Sequence, residues 1–73
     1  REDSDYWTGM AFSFSGLYEE AREHLQGYLT RYDSPKYQKE SQFRMAVCTF
    51  SLGDYEGALK TLESFNENNP GDD

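Results

Sequence analysis

The sequence predicts an all-α fold, an α-α superhelix (solenoid) of two helix–turn–helix repeats. The first reason is a phrase that recurs 37 residues apart: Gly16, Tyr18, Glu19, Ala21 and Leu25 return as Gly53, Tyr55, Glu56, Ala58 and Leu62. The flanks keep the same offset, pairing Tyr6 with Phe43, Gly9 with Ala46, Ala11 with Cys48 and Tyr28 with Phe65. The second reason is that apolar residues between the glycines recur every three or four positions, the period of a helix with one buried face. A period in the range of about 20–50 residues marks stacked supersecondary units rather than one compact enzyme domain.

The first helix is expected from about Ser4 to Ser15. Tyr6, Met10 and Phe14 share one face while Trp7, Ala11 and Phe14 line the next, so two sides can be covered. Gly9 weakens this helix by about 1 kcal/mol relative to alanine, which makes sense where a neighbouring backbone must come close. Gly16 is the break. A second helix of about fourteen residues begins at Tyr18, with Ala21, Leu25, Tyr28, Leu29 and Tyr32 inward and Glu19, Glu20, Arg22, Glu23, Gln26 and Arg31 outward. Asp33-Ser34-Pro35 ends it, and Ser34 as cap with Pro35 in the first turn starts the third helix, which runs to Leu52. That helix carries Phe43, Met45, Ala46, Val47, Cys48, Phe50 and Leu52, apolar all round and hence more enclosed. Gly53-Asp54 repeats the break with Asp54 as cap. The fourth helix holds Tyr55, Ala58, Leu59, Leu62 and Phe65 and stops at residues 66–71, where Pro70 and Gly71 follow a run of Asn and Glu. Repeat one spans about 4–34 and repeat two about 35–70, within a single fragment of residues 1–73. Small residues at the helix crossings (Gly9, Ala21, Ala46, Ala58) let the backbones approach, and Tyr18 and Tyr55 are expected to wedge into the corners made by the glycine turns.

Seventy-three residues make at most one small domain, burying about 60% of the surface its unfolded chain exposes. Five Phe, six Tyr and one Trp argue against disorder, which goes with few such bulky residues. Fourteen acids against seven bases leave a net charge of −7, a field that repels phosphate backbones and excludes nucleic acid as the natural partner. It suits a basic peptide or protein; plain solubility is the simpler use of the same charge. Cys48 is alone, so no intrachain disulfide forms. No apolar run approaches the ~20 residues of a membrane helix, and no direct membrane insertion of this segment is expected. The chain opens with Arg1 rather than Met, which reads as a segment of a longer protein.

The order small residue, aromatic, Gly-x-Tyr, Ala, large apolar, Pro resembles the tetratricopeptide repeat, whose fingerprint is W-x2-L-G-x2-Y, then A-x3-F, then P. Gly9-x-x-Phe12 with Ala21-x3-Leu25 fits the first copy, and Met45-Ala46 with Ala58-x3-Leu62 and Pro70 fits the second. Asp5 and Gln42 stand where the Trp would be, Thr8 replaces the Leu and Thr49 the aromatic, which blurs the edges of each unit but not its packing centre. The long period and the Tyr-Asp-Ser-Pro loop at residues 32–35 resemble the subgroup found in bacterial cell-envelope proteins. This implies a periplasmic or outer-membrane-associated setting, while the residues themselves leave the compartment open, the cytoplasm included.

The resemblance implies a non-catalytic protein–protein interaction module, with a concave groove for a partner peptide or protein along the first helix of each pair. Tyr6, Met10, Ser13 and Phe14 would line it in the first unit, and Phe43, Arg44, Val47 and Phe50 in the second. Aromatics and Met suit a groove that grips an amphipathic helix or an extended peptide. The alternative is a structural segment that stacks on other units or on a second copy and takes no ligand. Two units fall short of the three that stability usually needs, so exposed repeat ends and a homo-oligomer are expected, with Leu59 and Leu62 left sticky. No cofactor or metal is expected: His24 has no paired ligand near it in sequence, and Cys48 reads as a small buried residue. Glu19, Glu20 and Glu23 read as solvated charge on an outer helix face.

Overall fold

A computed structural model describes residues 1–68. The chain runs α1 (Glu2–Phe14), α2 (Tyr18–Arg31), α3 (Gln38–Ser51) and α4 (Tyr55–Asn68), with no strand among the described residues. α1 packs on α2 and α3 on α4, and α3 lies against α2 and the edge of α1, so two hairpins sit side by side. The expected stop at Pro70 and Gly71 lies outside the described residues.

Both hairpins turn on the same device. At the end of α1, Leu17 N–H donates to the Phe12 carbonyl (2.9 Å) and Gly16 N–H to the Ser13 carbonyl (3.1 Å). At the end of α3, Asp54 N–H donates to Thr49 (3.1 Å) and Gly53 N–H to Phe50 (2.9 Å). This Schellman pairing satisfies carbonyls that a helix end would otherwise leave open, and it needs one left-handed residue. Gly16 (φ 81°) and Gly53 (φ 92°) supply it. Asp54 caps α4 as expected, its Oδ1 accepting from Gly57 N–H at 3.0 Å.

The start of α3 differs from expectation. It begins at Gln38 rather than Pro35; Tyr37, not Ser34, stands at the cap and makes no side-chain bond there. The reason is tertiary. Tyr37 N–H donates to the Tyr28 hydroxyl (3.0 Å), which itself donates to Glu2 Oε2 (2.7 Å), and Lys36 N–H donates to that same carboxylate oxygen. Side chains of α1 and α2 therefore hold residues 36 and 37 in a turn, and the helix starts one residue later. α1 starts at Glu2 instead of Ser4, with Asp5 N–H already bonded to the Arg1 carbonyl at 2.9 Å. Its acidic first turn suits the positive end of the helix dipole.

This junction depends on charge. The Lys36 N–H and then the Tyr28 hydroxyl hold the Glu2 carboxyl below its ordinary 4.5. The Tyr32 hydroxyl (2.7 Å), helped by Arg31 (2.6 Å), does the same for Asp5. Burial pushes the Tyr28 hydroxyl up to about 12, so it stays protonated and keeps donating at neutral pH. A carboxylate with a depressed folded pKa stabilises above its unfolded pKa, and that contribution is lost as pH falls through the folded value. The melting temperature followed by circular dichroism is thus expected to fall between about pH 6 and about pH 3, with a smaller fall in Glu2→Gln. Equal slopes in the two proteins would remove Glu2 from the junction.

The core is the buried cluster Tyr6, Met10, Leu25 and Tyr28, with Leu29, Tyr32, Tyr37 and Met45 packed against it. Tyr6 stacks on Tyr37 with ring centres 4.1 Å apart and planes 11° from parallel. The small residues expected at the crossings are there: Gly9, Ala21, Ala46 and Ala58 are all buried. Two expectations for the second hairpin need correction. Tyr55 does not wedge into its corner but lies outside against Phe50, ring centres 4.9 Å apart. α3 is not enclosed all round: it packs on α2 and α4 but leaves Phe43 and Phe50 exposed. Both departures share one cause: α3 covers the first hairpin, and nothing among the described residues covers the second in the same way.

Candidate partner-binding cleft

Between α3 and α4, Phe43, Ala46, Val47, Phe50, Ala58 and Leu62 line an open apolar cleft of about 190 Å³. Small-molecule pockets run to about 300–1,000 Å³, so this space suits one or two side chains of a docking protein. Its origin is the repeat. Each lining residue is the image, 37 positions on, of Tyr6, Gly9, Met10, Ser13, Ala21 or Leu25. Those six are all buried, Gly9 against Leu25 of α2 and Tyr6 beneath Tyr37, with α3 packed alongside. Tyr6 is 4% exposed under Tyr37, whereas its image Phe43 is 51% exposed. One crossing is filled; the other is open.

Of the residues singled out from the sequence, the cleft brings together Phe43, Val47 and Phe50. Phe14 is exposed at the end of α1, with the Arg44 guanidinium 5.0 Å from its ring centre, a cation–π contact that bridges the two hairpins. Tyr6, Met10 and Ser13 lie instead in the interior, between α1 and its neighbours. Ala46, Ala58 and Leu62 complete the cleft. The sequence marks Ala46 and Ala58 as packing residues and Leu62 as one left sticky; the 37-residue offset shows which buried residues of the first unit they correspond to, and only the structure shows that their wall is open. Beyond the rim, Leu59 of α4 is 57% exposed. Trp7 is exposed beside Tyr6, edge-on at 4.9 Å.

The other candidate chemistries are spread out. His24 stands edge-on to Phe12 at 5.9 Å, in an open polar depression with Glu20, Glu23 and Arg31. Cys48 is fully buried; burial pushes its thiol up, against a smaller opposing pull from the Ser13 hydroxyl. A buried thiol held protonated is a poor nucleophile. Among the described residues no group of three His, Cys, Asp or Glu side chains could hold a metal ion, and no helix is long and apolar enough to cross a membrane.

A family model described as YfiO, outer membrane lipoprotein, matches residues 3–73. None of the curated proteins or solved structures compared with the chain matches it. The family match bears out the resemblance to tetratricopeptide-like proteins of the cell envelope.

Proposed function

We propose, for a chain that belongs to the YfiO family of outer membrane lipoproteins, a non-catalytic role as a protein–protein interaction module of the cell envelope. One observation carries this reading: the Phe43–Val47–Phe50 cleft is lined by the residues equivalent, one repeat on, to a crossing against which α3 already packs. Helix-in-groove recognition uses such a wall, with apolar anchors at helical spacing entering an apolar cleft. The partner is a protein or peptide that presents an amphipathic helix, and the net charge of −7 favours basic residues flanking it. The Phe14–Arg44 contact extends this surface toward the first hairpin.

A peptide of residues 37–52 is the natural probe, since α3 is the helix that fills the equivalent crossing. Titrated into isotope-labelled chain, it is expected to shift the amide signals of Phe43, Val47, Phe50 and Leu62. Phe50→Asp, placed on a 59% exposed side chain and so compatible with folding, is expected to weaken binding about tenfold or more. Binding that leaves those signals unmoved, or that Phe50→Asp does not alter, would overturn the proposal.

A further inference from the structure

We infer that a second site, apart from the cleft, takes a neutral hydroxyl-rich ring such as a hexopyranose sugar in the depression where α2, α3 and α4 meet. The depression holds about 330 Å³, at the lower end of the range of small-molecule sites. Gln26 and Leu29 of α2, Gln42 and Met45 of α3, and Thr61, Ser64 and Phe65 of α4 line it. Its walls are therefore three helices of this chain, brought together by the junction of the two hairpins. It shares no lining residue with the cleft.

Leu29, Met45 and Phe65 give the depression an apolar surface, and Leu29 and Met45 also pack on the core. The other four side chains are neutral amides and hydroxyls, although 29% of the chain is charged. A charged ligand would find no ion pair there to replace the hydration it loses. Local hydrogen bonds leave mainly acceptors. Thr61 Oγ1 already donates to the Gly57 carbonyl at 2.9 Å, and Gln26 Nε2 donates to Thr30 Oγ1 at 3.3 Å. Thr61 Oγ1 and Gln26 Oε1 thus remain to accept. Gln42 Oε1 is shielded from solvent and, among the described residues, no donor reaches it. An unpartnered buried acceptor lowers stability. Rotation about the last side-chain bond, broad and two-fold in glutamine, turns this amide toward a ligand in the depression.

Acceptors around an apolar surface suit a ligand with many donors, no charge and an apolar face. A pyranose has that make-up, since each hydroxyl carries a donor and the ring C–H groups can lie on an apolar or aromatic side chain. A peptide backbone offers one N–H per residue, spread along a line. It matches less well a set of groups converging from three helices on one space.

Titration of isotope-labelled chain with glucose, galactose and N-acetylglucosamine tests the inference. At least one of them is expected to shift the signals of Gln26, Gln42, Thr61 and Ser64, with a Kd of about 1 mM, as befits so small a ligand. Phe43, Val47 and Phe50 should not move. Glucuronate, a sugar ring with a carboxylate, is expected to shift none of them. Gln42→Met keeps the length and helix propensity of the side chain and removes its amide. It is expected to weaken sugar binding about fivefold while the melting temperature holds or rises, because the orphan acceptor has gone. That opposite movement separates an amide that holds a ligand from one that holds the fold. Thr61→Val, which removes a second acceptor, is expected to weaken binding by a similar factor. Absence of shifts with all three sugars, equal shifts with glucuronate, or wild-type binding by both variants would each overturn the inference. Shifts with acetamide and none with the sugars would assign the depression to amide side chains of a partner protein, and overturn it too. The α3 peptide reads separate signals in the cleft, so either site can fail without the other.

Discussion

Leu25→Ala is expected to lower stability by about 3–5 kcal/mol, the loss typical of a leucine emptied from a fully closed site. Leu25 has no exposed surface and stands at the centre of the Tyr6–Met10–Tyr28 cluster, where α1 and α2 cross and α3 closes the third side. Neighbours on three sides limit how far the cavity can collapse. A chain of 73 residues has only about 4–11 kcal/mol to lose, so this variant should sit at the edge of unfolding at room temperature. Its image provides the control. Leu62 has the same place in the second hairpin but lies half-buried on the open cleft, and Leu62→Ala should cost about 1–2 kcal/mol. Urea unfolding followed by circular dichroism measures both. Equal losses at the two positions would mean that the second crossing is as enclosed as the first, and the cleft would lose its physical basis.

Gly9→Val is expected to destabilise by about 3 kcal/mol, although helix propensity alone favours valine over glycine by a few tenths. A Cβ at Gly9 would stand 2.6 Å from Leu25 Cδ2 and 2.8 Å from its Cγ. Leu25 is fully buried, so it can withdraw only by displacing Tyr6, Met10 or Tyr28. Overpacking therefore outweighs the gain in backbone entropy. The repeat again supplies the comparison: Ala46, the image of Gly9, already carries a Cβ and borders the open cleft. Ala46→Val should change stability by less than about 1 kcal/mol. A Gly9→Val protein that melts at or above the wild-type temperature would show that α1 and α2 do not need the close approach.

The parts of the structure that could be read in advance are those settled by neighbours in sequence. Gly16 and Gly53 marked both turns because a left-handed residue is a local requirement that glycine meets at least cost. Asp54 was legible as a cap for the same reason, its carboxylate reaching an N–H three residues on. The start of α3 was not. Ser34 and Pro35 carry a strong local start signal, yet Tyr28 and Glu2, distant along the chain, bond the N–H groups of Tyr37 and Lys36 and place the boundary. Phe14, Phe43, Val47 and Phe50 were legible as candidate contacts only through the resemblance to the repeat family. Spacing alone could not separate Phe43 from Tyr6, which occupy the same position in their units.

By itself, then, the sequence determined four helices, two like hairpins and the residues at which they cross, since helix period, turn chemistry and side-chain size are properties of short stretches. Which of two equivalent crossings is closed was decided only in the tertiary structure. Burial depends on what lies alongside: Tyr37 and Met45 close over the cluster of Tyr6, Met10 and Leu25, while Phe43, Val47 and Leu62 at the equivalent positions line a wall open to solvent.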